Sequence, residues 1–263
     1  MIGENEFDLF TKARIQGRVI WALTMREVIT RFGREGLGVF WLLAEPAMFI
    51  VGVMIIFSHI ERKAAFPIAE YLSVSYPTLL LWRNGTGRVI KALEVNRALL
   101  HHQPIRPIDI IYSRILLEFS GSAGAFFILF IILVQLNICQ WPDDIFSMVG
   151  GYMLIIWFSF CFVLIMAALS ELSESIERVS HIILYLMLPF SGVFIPLSTL
   201  PREYRDLLLW FPLVDAVEYF RHGYYGMRMT TFYNIPYTIF ATLALMLFAY
   251  GLTQMSIRKI SLH

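Results

Sequence analysis

The chain has 263 residues, of which 58% are hydrophobic and only 16% are charged, and its formal net charge is +1. Soluble domains average ~25% charged and ~45–50% apolar residues, so this composition excludes a soluble protein and indicates that lipid is the solvent for much of the chain. The two cysteines, Cys139 and Cys161, lack the spacing of a metal site and are expected to be free thiols.

The N-terminal segment, residues 1–36, is basic and amphipathic. Between residues 7 and 32, apolar residues recur at roughly helical spacing and basic residues interleave between them. The pattern favours a helix lying along the inner membrane surface with its cations near anionic headgroups; a solvated helix with some apolar packing is the alternative. The segment lacks an apolar core of signal-peptide length and is expected to stay on the mature protein. The cations of this interface helix are Arg26, Arg31 and Arg34.

Six segments are predicted to cross the membrane, because a spanning helix needs about 20 mostly apolar residues. Four meet this requirement clearly: 37–60, 115–138, 145–170 and 235–257. Two are weaker: residues 66–91 include Glu70 and three cations, and residues 181–200 include Pro189 and Pro196.

The distribution of Lys and Arg orients these segments. With both termini in the cytoplasm, the inner segments hold twice as many Lys and Arg residues as the outer segments, in agreement with the positive charge of cytoplasmic loops. The expected fold is an all-α integral membrane protein with a cytoplasmic interface helix at 1–36, one six-helix domain at 37–257 and a cytoplasmic tail at 258–263.

The outer segment 201–234 is too polar to span and too apolar for an ordinary loop. It is predicted to form two short re-entrant helices before the sixth span, broken at Phe211–Pro212, because irregular backbone at membrane depth must be enclosed by protein or water. A surface loop with an aromatic belt is the alternative. Most aromatic residues of the chain should be belt and packing residues. The aromatic candidates for contact with sugar rings are Trp82, Tyr204, Trp210, Tyr219, Tyr224 and Tyr225.

The second span, residues 66–91, carries Arg83, Arg88 and Lys91 on one half of a helix at ~100° per residue. Cations that face lipid are costly, so a shared wet face that suits an anionic substrate is one interpretation. Snorkelling to inner headgroups is the other. In the first span, Glu45 precedes Pro46 and is predicted to be a buried structural carboxylate paired with a basic residue of another helix.

The sequence has no phosphate-binding loop, no nucleophile elbow and no metal-binding His pair. If transport is driven by ATP, another polypeptide must bind the nucleotide. The connection 94–109 predicts a short helix ended before Pro104 and then a stiff turn at Pro107.

Several blocks together resemble the ABC-2 permeases of Gram-negative capsular polysaccharide export. They are 26–33, 37–46, 90–96, 104–109, 116–118 and 194–218. The resemblance covers nearly the whole chain, and the order and spacing of the blocks make it specific. The family pattern favours Tyr and Arg where His102 and Gln103 stand.

The resemblance implies a permease that is not catalytic alone, works as a homodimer with two ABC ATPase subunits, and leaves ATP and Mg to those subunits. It implies export of a lipid-linked, usually acidic, polysaccharide across the inner membrane. The expected partners are a periplasmic co-polymerase-type protein and an outer-membrane channel. It places a coupling helix for the ATPase after the second span, with candidate residues Arg97, His101, His102, Gln103, Arg106 and Asp109.

Three alternatives stay open. A related permease could carry another glycan, such as O-antigen or teichoic acid. A secondary transporter would work without an ATPase. A membrane enzyme of glycan synthesis is disfavoured, since the sequence has no evident catalytic cluster.

Overall fold

The structure is a computed structural model that describes residues 3–32, 38–58, 68–96 and 105–260. Throughout these ranges the regular secondary structure is helical. The helices in chain order are α1 Gly3–Phe32, α2 Gly38–Ser58, α3 Ile68–Val89, α4 Ala92–Val95, α5 Pro107–Gln135, α6 Ile145–Leu172, α7 Glu174–Phe190, α8 Arg202–Leu208, α9 Pro212–Tyr225 and α10 Ile235–Ile260.

Among the described residues, three helices are long and apolar enough to cross a bilayer: α5, α6 and the segment Ile235–Lys259 of α10. The apolar segments Leu43–Ile56 of α2 and Arg178–Phe190 of α7 are shorter. The predicted second span, α3, is polar for a spanning helix, but every residue from Glu70 through Trp82 is buried. An all-helical protein with three clear spans is therefore evident, and the total of six stays a prediction.

Two predicted spans have different bounds in the structure. α5 begins at Pro107, well before residue 115, because Asp109 caps its first turn by accepting from the Arg106 amide at 2.9 Å. The predicted bounds 181–200 are wrong, since α7 begins at Glu174 and ends at Phe190. Gly192 follows with a φ of +68°, a conformation that glycine adopts readily and that ends helices.

α6 and α9 pack closely at the end of the helices that holds α8 and α9, which the predicted topology places outside and which is here called the outer half. A Cβ built on Gly223 would lie 2.1 Å from the Met148 backbone nitrogen, and one on Gly151 would lie 2.5 Å from the Phe220 Cα. Glycine at these two positions lets the backbones approach, as at other tight helix crossings in membranes.

The predicted break at Phe211–Pro212 separates α8 from α9. Pro212 is the first residue of α9, where its missing amide costs no helical hydrogen bond. α9 is buried along most of its length, whereas α8 has no buried residue. Two short helices thus precede α10, and their depth in the bilayer stays a prediction.

Candidate functional site

A basic cleft opens beside the C-terminal end of α3, at the end of the helices that the predicted topology places inside and that is here called the inner half. Its volume is about 370 Å³, and its lining residues are Arg83, Asn84, Gly87, Arg88, Leu184 and Tyr185. α3 supplies the polar lining and α7 the apolar lining. Two guanidinium groups in one cleft create a positive potential that favours an anionic ligand.

Arg83 lies beside Glu45 of α2. The Arg83 Nη1 and Glu45 Oε1 atoms are 4.0 Å apart, and the Asn84 Nδ2 donates to Glu45 Oε2 at 3.5 Å. The Glu45 side chain is 45% exposed, so its predicted burial is wrong, because the face of α2 that carries it is open in the single chain. Arg83 is 32% exposed, which leaves its charge accessible from the cleft.

Arg88 and Lys91 do not share one environment. Arg88 lies in the cleft, with its Nε 3.8 Å from Oε1 of the buried Glu118. Lys91 follows the end of α3 and pairs with Glu94 at 3.3 Å. The predicted common face of three cations is therefore wrong for Lys91, since it assumed that the helix continues past Val89.

A larger cleft lies at the outer end of the chain, with a volume of about 950 Å³. Its lining combines aromatic rings with polar groups: Asp206, Leu209, Trp210, Asp215, His222, Thr231, Phe232, Tyr233, Asn234 and Tyr237. The volume lies at the top of the ~300–1,000 Å³ range of small-molecule sites. The Tyr237 hydroxyl donates to the Trp210 carbonyl at 2.5 Å and ties the start of α10 to the cleft wall.

The two carboxylates of this outer cleft already have partners. Asp206 pairs with Arg202 at 3.5 Å and with Arg205 at 3.4 Å. Asp215 accepts from the Asn234 amide at 2.9 Å and from the Thr238 hydroxyl at 2.7 Å. Both carboxylates hold the cleft together, so the surface offered to a ligand is mainly aromatic.

The aromatic candidates divide into exposed and buried residues. Trp210 and Tyr204 are exposed, and Tyr219 is half-buried with its ring 5.1 Å from that of Tyr233. The structure places the other three inside the protein: Trp82, Tyr224 and Tyr225. Their ring faces are closed to a sugar in this conformation, because they pack against neighbouring core residues.

A buried ion pair that the sequence analysis did not identify anchors α9. Arg221 Nη1 lies 2.7 Å from Glu218 Oε1, and both side chains are fully buried. The guanidinium also donates to Ser75 Oγ at 2.9 Å and to the carbonyl of Gly192 at 2.6 Å. The signal in the sequence was a Glu and an Arg three residues apart in a helix rich in apolar residues.

A second polar cluster fastens the outer end of α3. Glu70 is buried and accepts from the Tyr224 hydroxyl at 2.7 Å. Arg228 lies 3.6 Å from Glu70 and 3.2 Å from Asp143. The outer ends of α3 and α9 and the loop before α6 are therefore linked by charged groups.

The loop 136–144, which joins α5 to α6, carries two groups with shifted pKa values. Hydrogen bonds from Ser147 lower the pKa of Asp144, the residue that caps α6. Burial raises the pKa of the Cys139 thiol to about 11. Cys139 and Cys161 are free thiols and both are buried, so Cys139 is a poor nucleophile at neutral pH.

α1 lies against the inner half of α5. Gln16 donates to Asp109, the Thr24 hydroxyl to the Ser113 carbonyl at 3.4 Å, and Arg26 to Asn96 at 3.3 Å. Arg31 lies in α1, but its side chain is outside the described part, as are these predicted residues: Arg34, Arg97, His101, His102 and Gln103. Of the candidate coupling residues, the structure thus describes Arg106 and Asp109 at the start of α5, where the Asp109 carboxylate accepts from the Arg106 amide.

Comparison with known proteins places this arrangement in a family. The ABC-2 type transporter family matches residues 18–232. The capsule polysaccharide export inner-membrane protein BexB of Haemophilus influenzae is 35% identical over 235 residues, 89% of each chain. CtrC of Neisseria meningitidis serogroup B, which has the same description, is 32% identical over 92% of this chain and 91% of its own. The polysialic acid transport protein KpsM of Escherichia coli is 27% identical over 86% of this chain and 90% of its own. The chain therefore belongs to the ABC-2 type transporter family.

Proposed function

We propose that the chain is the permease subunit of an ABC exporter that moves capsular polysaccharide across the inner membrane. The observation that carries the proposal is the 35% identity to a capsule polysaccharide export inner-membrane protein over 89% of both chains. A match of that extent includes the helices that hold both clefts. The same relatives support a multi-pass location in the inner membrane.

The two clefts suit successive parts of a lipid-linked acidic polymer. In the inner half, Arg83 and Arg88 attract carboxylate or phosphate groups of the chain. In the outer half, Trp210 and Tyr233 offer flat apolar faces to sugar rings, and the polar rim offers hydrogen bonds. The polymer is proposed to pass Arg83 first and the outer aromatic cleft last.

A second copy of the chain is proposed to close the passage. α2 and α7 flank the basic cleft and carry large exposed apolar side chains, among them Trp41, Met48, Ile182 and Leu186. Exposed apolar faces on both sides of a polar cleft fit a homodimer whose two clefts face each other across a water-filled path. Arg83 then has a wet surface instead of acyl chains.

The remaining parts of the assembly are proposed on the basis of the family resemblance. Two copies of an ABC ATPase would bind ATP and Mg on the cytoplasmic side, near α1 and α4. A periplasmic co-polymerase-type protein and an outer-membrane channel would receive the polymer. The proposed topology has six spans with both termini in the cytoplasm and α8 and α9 as re-entrant helices at the outer face.

Reconstitution tests this function directly. The chain is purified with its ATPase, placed in proteoliposomes, and supplied with labelled lipid-linked capsular polysaccharide. Transport that needs both the ATPase and ATP is the expected result. Transport by the chain alone in an ion gradient would assign it to the secondary transporters, and ATP-dependent transport of a different glycan only would reassign the cargo.

A further inference from the structure

The inner end of α6 holds the corner at which α3 turns into α4. α3 ends at Val89, and Lys91 has a left-handed backbone φ of 54°. In a continuing helix the Lys91 amide would donate to the Gly87 carbonyl. It donates instead to the Ser170 Oγ of α6, 3.3 Å away. The corner is therefore fixed by a residue of another helix.

Glu171, the next residue of α6, caps the start of α4. The first amides of any helix lack a partner within that helix. In α4, the Leu93 amide donates to Glu171 Oε1 at 3.0 Å, and the Glu94 amide also bonds to this carboxylate. The Lys91 side chain provides no cap and pairs with Glu94. A carboxylate at this position is the favourable charge for a helix start, so α4 depends on α6 for its cap.

α6 connects this corner to the outer half. It runs from Ile145 to Leu172 without a proline, and at ~1.5 Å per residue it is about 42 Å long. Its outer end packs against α9, and the Asp144 amide donates to the Gly223 carbonyl at 2.8 Å. At its inner end, the Lys259 ammonium of α10 donates to the Leu172 carbonyl at 2.9 Å. One helix therefore touches both α4 and α9.

We propose that Glu171 is a positioning residue that latches α4 to α6. Because Glu171 and Ser170 bind the start of α4 to α6, a displacement of α4 is transmitted to α6. α6 in turn displaces α9, which lines the outer cleft. The run of helical hydrogen bonds along α3 does not continue into α4, because the Lys91 amide bonds to Ser170 and the Lys91 backbone is left-handed. The inference rests on the proposed function, because an ATPase must act on the cytoplasmic side near α4.

Hydrogen exchange tests the latch without any transport. In the purified permease–ATPase complex, the peptide that holds the Leu93 and Glu94 amides should be protected. Glu171→Ala should raise its exchange rate about tenfold or more, and Glu171→Gln, which keeps one acceptor oxygen, should give a smaller increase. Equal exchange in the wild type and Glu171→Ala would overturn the latch, whichever cargo the protein carries.

The ratio of polymer exported to ATP hydrolysed tests what the latch does. Glu171→Ala should keep ATP hydrolysis and lower the ratio about fivefold or more, with partial rescue in Glu171→Gln. A purely structural residue would lower both activities with protein abundance and leave the ratio unchanged, and that result would overturn the proposal. Should Glu171→Ala fail to assemble, Ser170→Ala provides the same comparison, with a smaller fall expected.

Glu203→Ala is the matched control, since Glu203 lies in α8, a helix without buried residues. This variant should have the wild-type rate of hydrogen exchange at the Leu93 and Glu94 amides and the wild-type ratio of polymer exported to ATP hydrolysed. Faster exchange with an unchanged ratio would show a cap without a role in coupling and would contradict the proposal. If the proposed function is wrong, neither the wild type nor any variant exports capsular polymer. Hydrogen exchange at the Leu93 and Glu94 amides still tests the latch in that case.

Discussion

Arg221 and Glu218 form an ion pair with 2.7 Å between Nη1 and Oε1, and neither side chain has any exposed surface. The pair lies on α9 and reaches Ser75 of α3 and the turn at Gly192. One guanidinium therefore joins three parts of the chain around the outer half. The cost of a buried charge is balanced here by an opposite charge and by further hydrogen bonds.

Removal of one member of this pair should be severely destabilising. Arg221→Ala leaves the Glu218 carboxylate buried without its counter-charge, which costs about 3–5 kcal/mol. We expect Arg221→Ala to be much less abundant in the membrane than the wild type and to show no cooperative thermal unfolding after purification.

Arg202→Ala is the control, because the Arg202–Asp206 pair is 85% and 54% exposed. Exposed pairs contribute at most ~1 kcal/mol, so this variant should be as abundant and as stable as the wild type. Equal stability of both variants would contradict the role given to Arg221.

The close packing of α6 and α9 predicts a strong effect of one methyl group. In Gly223→Ala the new Cβ would lie 2.1 Å from the Met148 nitrogen, so the two helices must separate. Overpacking of this kind costs about 1–3 kcal/mol or more, and melting of the purified protein should show it.

The matched variant is Gly124→Ala in α5, where a Cβ meets nothing within 4 Å. Alanine also favours a helix by about 1 kcal/mol relative to glycine, so Gly124→Ala should melt at or above the wild-type temperature. A Gly223→Ala protein with the same melting temperature as Gly124→Ala would show that α6 and α9 are less tightly packed than described.

The charge of Arg83 should matter for export more than for folding. Arg83→Ala removes a cation that is one-third exposed at the basic cleft and paired with Glu45 at 4.0 Å. Export of an acidic polymer should fall about tenfold at equal protein level, and Arg83→Lys, which keeps the charge, should recover part of it. Surface polymer per cell, normalised to permease in the membrane, is the measurement.

Arg258→Ala, at the inner end of α10, controls for a general loss of positive charge on the inner side and should export normally. Normal capsule in Arg83→Ala at normal protein level would remove Arg83 from the proposed path.

Trp210 should contribute an aromatic face to the outer cleft. Its side chain is 78% exposed, so Trp210→Ala removes little packing and should leave stability unchanged. Loss of a stacking surface of this size should lower export about fivefold or more.

Trp141 is exposed to a similar degree, at 64%, but lies outside the cleft, in the loop before α6. Trp141→Ala should therefore export as the wild type does. Equal loss of export in both variants would indicate a general requirement for aromatic residues at the membrane surface rather than a ligand cleft.

The Cys139 thiol should react slowly and only at high pH. Burial raises its pKa to about 11, so at pH 8 roughly one thiol in a thousand is the reactive thiolate. Iodoacetamide labelling in native membranes, measured on the peptide that contains Cys139, should accelerate about tenfold per pH unit between pH 7 and pH 9, because the fraction of thiolate rises with pH. Met227→Cys, at a side chain that is 99% exposed, is the positive control. Labelling of Cys139 at the control's rate at pH 8 would contradict its burial.

The sequence predicted the helical class, the separation of α8 from α9 and the polar character of α3, because these follow from local composition and from Pro212. The sequence did not predict the helix ends that are determined by tertiary contacts. The end of α3 before Lys91 depends on hydrogen bonds that backbone amides donate to side chains of α6, and the end of α7 at Phe190 depends on the turn at Gly192. Hydropathy alone therefore predicted that both helices end later in the chain than they do.

The candidate site shows the same division. Arg83 and Trp210 were identified from their residue type and lie in clefts, as an exposed polar or aromatic group should. Tyr224 and Tyr225 were chosen for the same reason but are buried, because the sequence does not show which side of α9 packs against α6. Arg221 was not identified, since its partners Ser75 and Gly192 are far from it in the chain.

The central claim is that capsular polymer passes the basic cleft. A photo-crosslinking phenylalanine analogue at Tyr185, which lines this cleft and is 65% exposed, tests it in cells that make capsule. The account predicts adducts that react with antibody to the polymer, and none from the same analogue at Phe127, a 49% exposed residue of α5. Adducts with lipid alone at both positions would contradict it.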